Sequence, residues 1–427
     1  MFALNEGWQW KAAEFSENLN GVVYLATGNN AEKMRRRPLG DFAWQLFDPQ
    51  LYLAGLDGAD CAKVCARLAS YLWFGVPGVP DFQSSEESQN SWQQAVQEHV
   101  KANWPGKAPE DEEILHAARA AIEFQADRGC THLLAATPLI AEREDEAATA
   151  AQWIDAALEA ASDLDIGQPV IATVAVAEAV LNDASFMEGG FLDTIVDQVT
   201  SRTGLAGVYI VVAQTLKRHP LCAPESVTRT YAHLTRAFAN FGYDFIFVNF
   251  ADVFGVACLG LGASGFATGS SQALRRLCPA AFLDEGGGLP LPHLYSHRSV
   301  AEFLPERELE KIAKLNYLRR VTDTTVYSRD LLQALVHNRP ASGVAAWAES
   351  KNNVTAAGRH FIARMIAEGT AYAESSPAQR FTRAESWLDD AVVNQEFLAR
   401  HLTDQLQTTP TYAPAAEWLG HLRQYRT

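Results

Sequence analysis

Short apolar runs recur along the chain, each ending in small or polar residues and followed by a stretch with helical spacing. They are GVVYLATG (21–28), AWQLFDPQLYL (43–53), THLLAATPLI (131–140), PVIATVAVAE (169–178), GVYIVVAQT (207–215), YDFIFVNFAD (243–252) and ACLGLGASGFATG (257–269). The intervening segments AATAAQWIDAALEAASDL, FLDTIVDQVTSR and ESVTRTYAHLTRAFANFG carry apolar residues three and four apart, with Gly204 and Gly242 where helix ends need a left-handed residue. Continuous rather than alternating apolar strands are the mark of a parallel sheet covered on both faces. Seven such units in a chain of this size predict an α/β fold of the (β/α)8 TIM-barrel type. The segment LPLPHLYSHR (289–298) is the best candidate for an eighth strand.

The pattern changes after about residue 298. VAEFLPERELEKIAKL, SRDLLQALVHN, AAGRHFIARMIAEGTAYAES and WLDDAVVNQEFLARHLTDQL all read as amphipathic helices. Residues 1–298 are therefore expected to form the barrel, with an insertion at about 75–113, and 299–427 an α-helical C-terminal region. The insertion and the loop DEGGGLPLP (284–292) are long enough to act as lids or contact surfaces.

Composition narrows the classes. The chain has 427 residues, 48% hydrophobic and 20% charged, which is globular. Its apolar run from Val253 to Leu261 is far short of the roughly 20 residues of a bilayer span, so no membrane association is expected. No basic and then apolar leader opens the sequence, and the six cysteines form no C-x2-C pair, so a reducing cytoplasm is expected. Cys61 and Cys65 lie on one face of an amphipathic helix and read as core. The net charge of −16 is uneven: residues 1–297 hold 19 Lys and Arg against 36 Asp and Glu, while 298–427 hold 16 against 15. Such a surface repels phosphate backbones, so nucleic acid would bind only through a partner or a local basic patch, of which Arg35-Arg36-Arg37 is one candidate.

In a parallel barrel the chemistry sits at the C-terminal strand ends. Those ends hold Thr27, Gly28, Asp48, Thr137, Glu178, Gln214, Asn249 and Asp252. Asp48 reads either as a mouth-facing carboxylate or as a turn residue before Pro49. Asn249 and Gln214 put amides inside apolar runs, where they need partners; Asp252 reads as a second carboxylate or as a helix cap. Ser264, Gly265, Thr268, Gly269, Ser270 and Ser271 form a small-residue stretch that either cradles an anion or lets a crowded barrel mouth close. It is no P-loop, since no Lys follows the glycines. The histidines lack metal-ligand spacing, and neither metal nor cofactor is expected.

The succession LLAATPLIA, PVIATVAVAEA, GVYIVVAQ, ACLGLGASGFATG and PHLYSHRSVAEFLPERELEKI resembles the barrel of the tRNA-guanine transglycosylase superfamily, in particular relatives that insert 7-deazaguanine bases into DNA. The resemblance implies a strand-end aspartate that holds the incoming base, at Asp48, and a second that attacks the sugar C1′. Two departures stand out. The family's G-[VI]-D-x-F-D pattern falls on Gly262 to Ala267, so Ala267 stands at the nucleophile position, and the family's zinc ligands are missing. The resemblance therefore implies a nucleophile moved to Asp252 or Asp48, or a lost exchange reaction.

Three functions remain. One is a transglycosylase-like protein that binds or exchanges a nucleobase of the 7-deazaguanine type, with Asp48 and Asp252 as its carboxylates. Another is a barrel enzyme for a small phosphorylated metabolite, bound at 264–271. The last is a catalytically silent subunit, whose insertion and helical tail meet protein partners or a second copy.

Overall fold

The computed structural model describes residues 1–7, 11–36, 39–80, 86–109, 113–141, 144–215, 219–284, 290–349, 353–402 and 410–426. Arg37 of the basic patch, residues 285–289 of the glycine-rich loop, and parts of the 75–113 insertion lie outside them.

Eight parallel strands form a nearly closed barrel: β1 (Phe2–Glu6), β2 (Gly21–Leu25), β3 (Trp44–Asp48), β4 (Leu133–Leu134), β5 (Val170–Ala177), β6 (Leu205–Ala213), β7 (Phe245–Asn249) and β8 (Gly265–Gly269). The hydrogen-bonded order runs β3-β2-β1-β8-β7-β6-β5-β4. Thr131 brings the two edge strands together, its N–H donating to the Gln45 carbonyl at 2.9 Å and its hydroxyl accepting from the Gln45 N–H at 3.0 Å. Every residue of β1, β2, β5, β7 and β8 is buried, as a sheet covered on both faces requires.

The strand that completes the barrel is Phe2–Glu6 and not the 289–298 segment. Within that segment Leu294–Ser296 is β9, antiparallel to β10 (Ala301–Phe303), which pairs in turn with β11 (Thr411–Tyr412). Ala301–Phe303 is thus a strand where helical spacing was expected.

The lumen is filled by aromatics. Trp44, Phe245, Phe247 and Tyr209 pack together, with ring centroids 5.6–5.8 Å apart. Strand alternation puts Asp48 on the face of Trp44, and Asn249 on that of Phe245 and Phe247, so both project inward above this plug.

Helices Glu144–Asp163, Phe191–Thr200 and Glu225–Phe241 surround the barrel where their spacing predicts. Gly242 ends the last of them at φ 103°, which favours a residue without Cβ. The run read as the start of the seventh strand holds instead a helix, Phe254–Leu261, and all eight of its residues are buried. It is apolar all round because helices Pro377–Leu402 and Ala415–Gln424 cover its outer side. Helix Thr355–Ala373 packs against β1, its Gly369 lying against Phe2. One apolar core accordingly runs from the barrel into the C-terminal helices through Phe361, Met365, Leu388, Trp418 and Leu422.

Candidate active site

Asp48 ends β3 and is fully buried. Its Oδ2 accepts from the Tyr52 hydroxyl at 2.6 Å and the Tyr209 hydroxyl at 2.8 Å, and its Oδ1 from the Gln50 N–H at 3.0 Å. Burial pushes its carboxyl up to about 6, against the pull of Tyr52, Tyr209 and the Gln50 N–H. Tyr209 also accepts from the Asn249 side chain, and Asn249 Oδ1 accepts from Asn5 at 2.7 Å and from the Phe250 N–H at 2.7 Å. Gln50, left-handed at φ 53°, turns back so that its side-chain oxygen takes the Thr27 N–H at 2.8 Å. The structure therefore brings Thr27, Asp48 and Asn249 into one buried network, and adds Asn5, Gln50, Tyr52 and Tyr209 to it. Gly28 beside it is bare because a Cβ there would sit 2.9 Å from the Gly7 backbone.

Asp252 is a different kind of carboxylate. It follows β7 in a turn where both Phe250 (φ 58°) and Asp252 (φ 49°) are left-handed, a strain that clusters at functional sites. It is 2% exposed, yet neither side-chain oxygen has a hydrogen-bond partner among the described residues. Burial pushes this carboxyl up to about 6; Arg275 opposes that and Glu302 adds to it. Gln214, after β6, is equally buried, and its amide oxygen and nitrogen both lack partners among the described residues. The backbone explains why the two are held so close to one segment: the Asp252 N–H donates to the Arg275 carbonyl at 3.1 Å and the Gln214 N–H to that of Leu277 at 2.9 Å. Residues 275–277 thus lie across the ends of β6 and β7.

Above this segment sits the C-terminal region. Glu302 of β10, 1% exposed, pairs with Arg275 and approaches His219 Nε2 at 3.0 Å. Burial opposes its charge, but Arg275 and His219 hold its carboxyl well below the usual range. The Arg275 guanidinium also stacks on Phe361, 3.6 Å from the ring centroid.

Other expected residues lie elsewhere. Ser264 and Gly265 are at the N-terminal end of β8, the opposite end of the barrel, where Ser264 bonds the Ile246 backbone. A Cβ on Gly265 would stand 2.2 Å from the Trp44 indole, so this glycine makes room for the lumen plug. Phe266 packs on Gly255 of the outer helix, and alternation sends Thr268 to that outer face too. Gly269 is bare because a Cβ would sit 2.1 Å from that of Leu274. Ser270 and Ser271 precede only a three-residue 3-10 turn, Gln272–Leu274, which has no helix terminus to hold an anion. Crowding accounts for these two glycines. Ala267 pairs with Asn249 on the inward face, so the alanine lies within the lumen. Glu178 caps the Thr215 N–H at 2.8 Å, and Thr137 bonds the Thr173 carbonyl at 3.1 Å. In the basic patch Arg36 pairs with Glu32 at 2.8 Å.

Sequence reasoning missed Asn5, Tyr209, Arg275 and Glu302. Asn5-Glu6 closing an apolar run repeats the strand-end signature of Asn249, and Tyr209 is the one hydroxyl in GVYIVVA; Glu302 carries no local signal, because its partners are distant in sequence. Among the described residues no group of three or more His, Cys, Asp or Glu is placed to hold a metal ion, and no helix is long and apolar enough to cross a membrane. No protein-family model matches the chain, and no curated sequence shows significant similarity to it.

Proposed function

We propose that this barrel transfers glycosyl groups, exchanging a nucleobase of the 7-deazaguanine type at a sugar C1′, with Asp252 as the attacking carboxylate. The observation that carries the reading is the open valence at the ends of β6 and β7. A buried carboxylate whose two oxygens lack partners among the described residues follows β7, and a buried amide whose donor and acceptor lack them follows the neighbouring β6. The carboxylate suits capture of an oxocarbenium-like carbon, and the amide suits the lactam edge of a purine-like base.

In the forward half-reaction an Asp252 oxygen bonds to C1′ while the C1′–N bond breaks and the departing base takes up a proton. In the second half the incoming base loses a proton, bonds to C1′ and releases the Asp252 carboxylate. Asp48 serves differently from what the resemblance implies. Its oxygens already accept three protein donors, so it fixes Tyr209 and, through Tyr209, the amide of Asn249.

The test is incorporation of labelled guanine or a 7-deazaguanine base into DNA and RNA oligonucleotides and into free nucleosides. Wild-type protein is expected to incorporate label into one of these, and Asp252→Asn to lose at least a thousandfold in rate, on the order of what loss of a nucleophile costs. Undiminished exchange by Asp252→Asn would remove Asp252 from the reaction. No exchange on any acceptor favours the silent-subunit reading.

A further inference from the structure

A cavity of about 770 Å³ lies in the C-terminal region and shares no residue with the site around Asp252. Four arginines line it from four places in the chain: Arg298 after β9, Arg319 in the turn Leu318–Val321, Arg329 at the start of helix Arg329–Val336, and Arg364 on helix Thr355–Ala373. The lining holds one carboxylate, Asp323.

That carboxylate is already engaged. Asp323 Oδ2 accepts the backbone N–H groups of His297 at 2.6 Å and Arg298 at 3.0 Å, and Oδ1 faces the Arg298 guanidinium at 3.4 Å. Arg364 reaches Glu368 at 2.6 Å through one terminal nitrogen, while its Nε is buried without a partner. Arg319 and Arg329 are exposed and have no carboxylate partner among the described residues. Arg298 and Arg364 already have carboxylate partners in Asp323 and Glu368, so the positive charge left without one at this concavity, among the described residues, is that of Arg319 and Arg329, which an anion bound between them would neutralise. Guanidinium forks from several directions suit the tetrahedral oxygens of a phosphate.

We infer that this cleft binds the phosphate groups of a ligand, holding it at a distance from Asp252. The phosphates belong either to a nucleic-acid backbone or to a small phosphorylated compound. The inference stands whether or not Asp252 performs exchange.

The experiment measures binding of a fluorescent single-stranded 20-mer by anisotropy, and of a mononucleotide and of inorganic phosphate by calorimetry, to wild-type protein and to Arg319→Ala/Arg329→Ala. The arginine variant is expected to bind at least tenfold more weakly, with an unchanged melting temperature because both side chains are exposed. If the oligonucleotide is the ligand, the salt dependence of its affinity also flattens, by about 0.7 in log–log slope per lost phosphate contact. Tighter binding of the mononucleotide or phosphate assigns the cleft to a small phosphorylated compound. Failure of all three probes to bind, or equal binding by the arginine variant, overturns the inference.

Discussion

At the residue scale the two buried aspartates contrast in what surrounds them. Asp48 has three donors and Asp252 none among the described residues, yet burial raises both to about 6. For Asp252 the folded-state value exceeds the ordinary 3.8, so folding favours the protonated form. The ionised carboxylate therefore weakens the fold above about pH 6, and that cost vanishes below about pH 4. At roughly 1.4 kcal/mol per unit the cost is about 2–3 kcal/mol at pH 8. Asp252→Asn is accordingly expected to stabilise the protein by that order at pH 8 and by almost nothing at pH 4, as urea titrations at the two values would reveal; equal effects at both would contradict the assigned environment. Asp48 and Asn249 were legible because a polar residue closing an apolar strand must face something polar. The partners of Asp48 were not, since Tyr209 reads as one more apolar position until the register places its hydroxyl.

Elements were readable where their pattern was long. Strands β2 to β7 and the helices of the middle units follow from period and punctuation, whereas the first strand was missed: FALNE is five residues with two polar ones, and only the neighbouring β2 and β8 make it a strand. The stretch 254–269 shows the opposite failure, because an apolar helix buried on all sides has no polar face to announce it. Its glycines are explained by packing, which gives an expected outcome. Gly265→Ala should destabilise by roughly 1–3 kcal/mol through collision with Trp44. Most of that loss should return when Trp44 is also replaced by Leu. A Gly265→Ala protein as stable as wild type would mean that the lumen is looser than described.

For the whole molecule the C-terminal region is part of the barrel's mouth. Its helices cover the apolar Phe254–Leu261 helix, and Glu302 inserts a charge against Arg275 beside Asp252. No sequence pattern discloses such a long-range pair. Breaking a buried ion pair from one side leaves an uncompensated charge, so Glu302→Gln is expected to cost about 3 kcal/mol in chemical unfolding, and Arg275→Met/Glu302→Leu to recover most of it. Equal losses in the single and double variants would mean that the pair contributes shape and not charge. The account rests most on an ionisable, uncommitted carboxylate at the mouth of this barrel. The most direct measurement is a carbon-13 NMR titration of Asp-labelled protein, with Asp252 assigned by comparison with Asp252→Asn. The account predicts that its carboxyl titrates near 6; titration at or below 4 would mean that Asp252 is paired or solvated, and would contradict it.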